Sequence, residues 1–493
     1  MTLLASCATT NEDPTETNAE GASTPSTSIN VMQFNIEYGG EGVDFDSVGK
    51  AIEAAEADVV AIQEAYANMP EIASDLGWDF YDSRTQVVSK FPFLNASALA
   101  DNSVFVEVEG GVIALFNVHL PSLGYGPNQA VAGADAETIL ERENEERIPA
   151  LEPTLRAATS LMEQEIPVFV LGDFNAPSQH DWTPETVGLR EHVVFPLDWP
   201  TSVAAEAAGL IDVYREIYPD PVSHQGITWP ASRPFVKGYN PGPADRPGDR
   251  IDLMYAAGAE PTSVSIVGEE SSEFTDIPVS PWPTDHRALV ASVDVVPGDA
   301  PTLVSVDQQL IEVGQERNVR YHAAGDDAGW LAVIPIGGAP SEAVVRAPAS
   351  DPSSGAWPLP TTELPPGAYE VVLLTDGGVE LSRIPFWLVP AGTGPEVSTT
   401  RSSYEVGESI EVSWENAPAN KWDWVALYPR GANPNIAWYK DWLYTDATVT
   451  GSVTFDGTPN ARKWPLTPGQ YSVYLLEDDS YNKIAGSDFA IVR

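Results

Sequence analysis

Pro167-Val-Phe-Val-Leu-Gly-Asp-Phe-Asn175 is the stretch on which the reading of this chain turns. Residues 167–171 form a short, unbroken apolar run closed by Gly172, so they read as a buried strand. Asp173 and Asn175 then fall at or beyond its carboxyl end. The same construction returns on both sides. Ala57-Asp-Val-Val-Ala-Ile-Gln-Glu64 closes on Glu64, and Phe116-Asn-Val-His-Leu120 carries His119. Arg250-Ile-Asp252 leads into Leu253-Met-Tyr255, Asp285-His286 precedes the run from Ala288 to Val295, and a strand over Ile29 to Ile36 carries Asn35.

Helical and loop patterns separate these runs. Phe45 to Ala57 has Val48, Ile52 and Ala55 at helical spacing, and Asp58 to Gln63 is a strand. Val104 to Val108, Gly110-Gly111 and Val112 to Val118 read as a hairpin. Ala134 to Glu146 and Leu155 to Glu165 are helical, with Glu141 to Arg147 a solvated charge run. His192 to Asp220 mixes a loop with one short helix around Ala204 to Tyr214. Val222 to Gly248, rich in Pro and Gly, is a long loop of the kind that carries function. Ile251 to Tyr255 and Ala288 to Val295 are the final strands.

If those strands lie side by side, Asn35, Glu64, His119 and Asp173 share one mouth. Clustered carboxylates repel and raise one another's pKa, so a bound cation is the natural way to keep them ionised. Oxygen and amide ligands without cysteine favour Mg²⁺ first, then Mn²⁺ or Ca²⁺. A cation site, a group to position water and donors for phosphoryl oxygens are what phosphoester hydrolysis needs.

The chain has 493 residues and 43% apolar content, enough for several packed cores. Against 72 acids stand 25 bases, a formal charge of −47, so a general basic surface for nucleic acid is missing. Residues 28–298 hold 43 acids and 13 bases, a net of −30. A long polyanion meets repulsion there except at the metal mouth, and a small or membrane-bound phosphoester is easier to accommodate.

The single cysteine, Cys7, excludes a disulfide within the chain. It ends Leu4-Ala5-Ser6-Cys7, which resembles the site read in bacterial lipoprotein processing. Six residues precede it, so residues 1–28 read as a truncated signal followed by a Thr-, Pro- and Ser-rich tether. That places the protein outside the cell or on a bacterial cell surface, with Cys7 as the anchor. No later segment has the roughly 18 unbroken apolar residues of a spanning helix.

Past Pro297 an internal repeat appears. Glu312-Val-Gly314 returns as Glu405-Val-Gly407, and Trp330-Leu-Ala-Val-Ile-Pro335 as Trp424-Val-Ala-Leu-Tyr-Pro429. Leu364-Pro-Pro-Gly-Ala-Tyr369 returns as Leu466-Thr-Pro-Gly-Gln-Tyr471. Two all-β sandwiches follow, at 300–391 and 395–493, with cores resting on Trp and Tyr. Lys421-Trp-Asp423 and the strand after it resemble immunoglobulin-like modules appended to phosphatases, which implies a spacer or docking surface.

Val31-Met-Gln-Phe-Asn35, Ile62-Gln-Glu64, Thr85-Gln-Val-Val-Ser-Lys-Phe-Pro92, Asn117-Val-His119, Gly172-Asp-Phe-Asn175, Arg250-Ile-Asp252 and Thr284-Asp-His286 resemble, in order, the motifs of the exonuclease-endonuclease-phosphatase superfamily. Each alone has a plain structural reading, such as a strand-end acid or an Asx turn. Their order over 29–298 is what carries the resemblance. It implies an α/β (α+β) DNase I-like four-layer α/β/β/α sandwich, ahead of the two immunoglobulin-like repeats. It implies that Asn35, Glu64 and Asp285 hold the metal and that Asp173 and Asn175 position water and a phosphoryl oxygen. His119 and His286 would contact the phosphate, one as general acid, with Asp252 orienting His286. Either Asp173 or His286 takes the water's proton.

Arg233, Lys237, Arg246 and Arg250 are the local candidates for a second phosphate contact, with Arg233, Lys237 and Arg250 foremost. Tyr125, Trp182, Trp199, Trp229, Tyr239 and Trp282 are candidates for an aromatic rim. His180, His192, His224 and His322 read as structural. The functional expectation is a secreted or surface-tethered metal-dependent phosphoesterase. An extracellular nuclease acting on DNA or RNA is the alternative among enzymes, and a surface-binding protein with a vestigial first domain is the alternative outside them.

Overall fold

The computed structural model describes residues 26–95, 102–234, 247–325, 327–458 and 460–493. Cys7, Lys237, Tyr239 and Arg246 lie outside them, and with them most of the tether. Among the described residues thirteen strands build the first unit. One sheet runs β12 (Ile277–Val279), β11 (Ala259–Glu269), β13 (Ala288–Val295), β1 (Thr27–Asn35), β2 (Val59–Gln63), β4 (Val87–Ser89) and β3 (Phe80–Asp82). The other runs β5 (Phe93–Leu94), β6 (Ser103–Val108), β7 (Gly111–His119), β8 (Val168–Asp173), β10 (Asp252–Ala257) and β9 (Ile211–Asp212).

The two sheets pack face to face. Ile29 and Val31, Val59 and Ala61, Ile113 and Leu115, Phe169 and Leu171, and Met254 and Ala256 fill the space between them. Their neighbours in sequence point the other way, as the two-residue period of a strand requires. Met32, Phe34, Val60 and Ile62 meet the helices Asp46–Ala54 and Met69–Leu76. Phe116, Val168 and Val170 pack with Leu151, Leu155 and Ala158 of the helix Ile148–Met162. The result is the four-layer α/β/β/α sandwich.

Parallel pairs lie at the heart of both sheets, β1 with β2 and β7 with β8. Their carboxyl ends therefore emerge together. The inward positions also change character there: Asn35, Gln63, Asn117, His119, Asp173 and Asp252 continue the same inward alternation that holds Val31, Ala61, Leu115, Leu171 and Met254. The inter-sheet core thus opens into a polar site at one edge.

Several sequence expectations need correction. The single helix around Ala204 to Tyr214 is two, Pro200–Ala207 and Val213–Ile217. Gly209, at φ +95°, ends the first, and β9 pairs with β10 before Asp212 caps the second through Arg215 N at 3.2 Å. Strand β11 went unread because Pro261 and polar residues open it. A bulge between Pro261 and Ser263 accommodates the proline against β13. The charge run from Glu141 to Arg147 is not wholly solvated. Glu143 and Arg147 are buried and paired at 2.7 Å.

Each repeat is a three-stranded sheet against a five-stranded sheet, an immunoglobulin-like sandwich, with strands from Leu303 to Val389 and from Glu396 to Val492. The motif tyrosines Tyr369 and Tyr471 enter the inter-sheet cores, with Trp414 in the second, but the motif tryptophans do not. Trp330 is 40% exposed, and Trp424 packs with Ala426 and Tyr428 on the outer face while Val425 and Leu427 turn inward. The second repeat also contacts the first unit, through Lys421, Gln308 to Tyr81 being the matching contact from the first repeat. Among the described residues no helix is long and apolar enough to cross a membrane.

Candidate active site

Asp173 is the centre of the mouth. Its Oδ2 accepts from Asn35 Nδ2 at 3.1 Å and lies 3.7 Å from His119 Nε2 and 3.8 Å from His286 Nε2. Its Oδ1 accepts from the backbone N–H of Asn175 at 2.8 Å, and Asn175 Nδ2 donates to the Leu120 carbonyl at 3.0 Å. Asp252, opposite Asp173 across the β8–β10 pair, faces His286 Nδ1 at 2.9 Å.

Glu64 closes the ring from the other sheet. Asn35 Nδ2 reaches its Oε1 at 3.3 Å, and the Tyr38 backbone N–H reaches Oε2 at 3.1 Å. Asp285 lies 3.7 Å from His286 Nε2 and accepts from Trp229 Nε1 at 3.2 Å. Asn35, Glu64, His119, Asp173, Asn175, Asp252, Asp285 and His286 therefore converge, although more than two hundred positions separate the first from the last.

Several backbone turns around the mouth are left-handed. Glu64 (φ 58°), Asn175 (φ 49°), Glu37 and Tyr38 (both φ 50°) all occupy the left-handed region. Such residues persist only where surrounding contacts over-determine them, and they cluster at working sites. Each stands just past a strand end, where the chain must turn sharply to keep a side chain in the mouth.

Burial sets the electrostatics. It pushes the Asp173 carboxyl up to about 6, against the pull of His286. It raises Glu64 as well, again opposed by His286. Burial opposes the charged form of His286, but Asp252, then Asp173 and Asp285, outweigh it and hold that imidazole well above its usual range. His119 goes the other way, because burial exceeds the pull of Asp173. One imidazole is thus held cationic and the other neutral near pH 7.

The oxygen-rich set suits a hard divalent cation. Asp173, Asp252 and His286 offer ligand atoms within 4.8 Å of one another. Asp252 Oδ2 and His286 Nδ1 are engaged with each other at 2.9 Å. Glu64, with Asn35 Nδ2 at 3.3 Å and Asp285 close enough to raise its pKa, brings further oxygen ligands to the same mouth.

The phosphate-contact candidates divide. Arg233 stands at the mouth but is clamped by Glu37, Nη2 to Oε1 at 2.7 Å. Lys237 is outside the described residues. Arg250 is fully buried, bonded to Asp181 and Asp212 at 3.1 and 2.6 Å, so it braces the fold and touches no substrate. The aromatic rim is corrected too: Tyr125, Trp182, Trp199 and Trp282 are buried, and of the described set Trp229 alone reaches a site carboxylate. Asp249 is a separate buried hub for Trp182, Arg190, His192 and Tyr125. Glu37, which also accepts from the Asp285 N–H at 3.1 Å, was missed. Its place two residues after Asn35 was the available signal.

Comparison with known proteins gives this geometry a context. Residues 32–286 match the model of the endonuclease/exonuclease/phosphatase family. The chain belongs to that family. An uncharacterized protein of Caenorhabditis elegans is 30% identical over 293 residues, 54% of this chain and 91% of that protein. Among solved structures, an endonuclease/exonuclease/phosphatase from Beutenbergia cavernae is 16% identical, with 73% of this chain and all of that one covered at a TM-score of 0.34. An AP endonuclease from Archaeoglobus fulgidus is 16% identical, with 53% and 98% covered at a TM-score of 0.32. Family membership makes the first unit a hydrolase of the phosphoesterase or nuclease kind.

Proposed function

We propose that the chain is a divalent-metal-dependent phosphoesterase that hydrolyses a phosphoester by in-line attack of water. The observation that carries this reading is the meeting of Glu64, Asp173, His119 and His286 at one mouth. Glu64, Asn35 and Asp285 would hold Mg²⁺, or in its place Mn²⁺ or Ca²⁺. When bound, the cation supplies charge for the phosphoryl oxygens and lowers the barrier to attack.

The protein's own groups divide the remaining work. His286, held cationic by Asp252, donates from Nε2 to a phosphoryl oxygen and cannot take water's proton. Asp173 is the remaining acceptor, with a carboxyl at about 6 that is ionised at neutral pH. The Asn175 backbone N–H fixes the Asp173 rotamer. His119, neutral, presents one N–H to the phosphate or leaving oxygen. A pre-aimed set of this kind stabilises charge as it develops.

Charge favours a compact or membrane-borne phosphoester over a long polyanion, since the first unit carries a net of −30. A position outside the cell, tethered through Cys7, belongs to the same proposal. The test is a substrate panel with Mg²⁺ and then with a chelator, comparing plasmid DNA, small phosphodiesters, phosphomonoesters and phospholipids. Hydrolysis that survives complete chelation refutes the metal-dependent reading. Preference for DNA over every small ester would replace it with the nuclease reading.

A further inference from the structure

Lys421, in the second β-sandwich, is a half-buried cation that the hydrolytic scheme leaves unused. Its Nζ donates to the backbone carbonyl of Asn117 at 3.1 Å, two residues before His119 on β7. Its own N–H donates to the Ser83 carbonyl at 3.3 Å. A second anchor stands beside it. Asp478, fully buried, accepts from the Trp422 backbone N–H and from Gln86 Nε2, both at 3.1 Å.

These contacts close into a ring. The Gln86 carbonyl accepts from Asn117 Nδ2 at 3.1 Å, and the same Nδ2 reaches the Ile62 carbonyl at 2.7 Å, two residues before Glu64. Lys421, Asn117, Gln86, Asp478 and Trp422 thus join the sandwich to the strand ends that carry His119 and Glu64. Asp423 sets the shape of the loop, accepting from the N–H groups of Asn420 and Asp478, each at 3.0 Å.

The ammonium sits in an unusual place. Its contacts among the described residues are the Asn117 carbonyl and the Trp422 ring, 5.2 Å away. Burial pushes its pKa down to about 8, against the pull of Asp478 and Asp82. A lysine held this way in a merely adhesive contact carries desolvation that an apolar residue would avoid. Near the mouth the other described cations are engaged, Arg233 by Glu37 and Arg250 by Asp181 and Asp212.

We propose that the second β-sandwich is a working wall of the catalytic mouth, in which Lys421 is a positioning residue: it fixes the carboxyl end of β7, and so His119, and brings positive potential toward the substrate phosphate. This rests on the phosphoesterase reading above. Gln86 and Asp478 are the struts that seat Lys421. On this proposal the second repeat takes part in hydrolysis rather than serving only as a spacer or docking surface.

The experiment uses the full chain with Lys421→Met and Lys421→Arg, and Lys421→Gln should the Met variant fail to fold. With Mg²⁺ and bis(p-nitrophenyl) phosphate, kcat/KM of the Met variant should fall about 10- to 100-fold, chiefly in kcat, as displacement of a catalytic group does. Arg should recover to within about fivefold of the parent, with melting temperatures of all variants within roughly 3 °C. A Met variant within about twofold of the parent, or Met and Arg variants equally impaired, overturns the proposal. If the parent hydrolyses no phosphoester, the phosphoesterase reading falls, and calorimetric binding of inorganic phosphate decides for Lys421. Binding about tenfold weaker in Met and restored in Arg supports the wall. Phosphate binding that is absent or unchanged overturns it.

Discussion

Asp252→Asn removes one charge from the buried pair with His286 while keeping its shape. The carboxylate Oδ2 faces His286 Nδ1 at 2.9 Å, whereas Oδ1 is buried with no hydrogen-bond partner among the described residues. An asparagine can therefore keep its oxygen on Nδ1 and place its amide where Oδ1 now stands, so the fold is retained. What is lost is the leading force that holds the imidazole cationic. A carboxylate in direct contact moves a partner's pKa by about 1 to 3 units. At 1.36 kcal/mol per unit that is about 1.4 to 4 kcal/mol of support for the cation.

If the cationic form stabilises the transition state, kcat should drop about 10- to 10³-fold near neutral pH. The assay is kcat from pH 5.5 to 9 on a small phosphodiester, with the His286 ring followed by NMR. The sign for stability also follows. His286 has its folded pKa raised, so its contribution is complete below the unfolded value of about 6.5 and fades as pH rises through the folded one. Parent and variant should differ most in melting temperature at low pH and converge in alkali. A variant with kcat within about threefold of the parent and a ring still cationic at pH 8 would refute the reasoning.

Gly172→Ala should destabilise the chain by at least about 2 kcal/mol, because φ is +139° and a Cβ there would stand 2.0 Å from the Val118 carbonyl oxygen. Urea unfolding checks this, and a midpoint equal to the parent's counts against it. Arg250→Met leaves Asp181 and Asp212 short of a buried partner and should lose about 3 to 5 kcal/mol, with KM of the remaining folded fraction unchanged. A raised KM would return Arg250 to the substrate. Cation binding should weaken as the solution is made acid, since burial raises Glu64 and that carboxylate must ionise to hold the ion. Calorimetry with Mg²⁺ at pH 5, 6.5 and 8 tests it, equal affinities being the contrary result.

The strand-end residues were legible because each follows an apolar run whose length and punctuation are local signals. Two-residue alternation then puts Asp173 and Leu171 on one face without any knowledge of the partner sheet. Asp252 is marked by the apolar continuation Leu253-Met-Tyr255, and the structure places Asp252 on His286 and Asp249 in a separate hub. What escaped were features set by distant pairing. Strand β11 is polar where it begins and exists because β13 lies beside it. Arg250 looks like a surface cation until Asp181 and Asp212 are brought onto it. Lys421 lies about three hundred positions from Asn117, and no short pattern announces that contact.

The ring through Lys421, Asn117, Gln86 and Asp478 has a thermodynamic corollary. Linkage is reciprocal, so any ligand that grips the mouth more tightly when the sandwich is docked must tighten that docking by the same factor. Occupancy of the phosphate site would then be readable from afar, as slower amide exchange in the 420–423 and 477–480 loops.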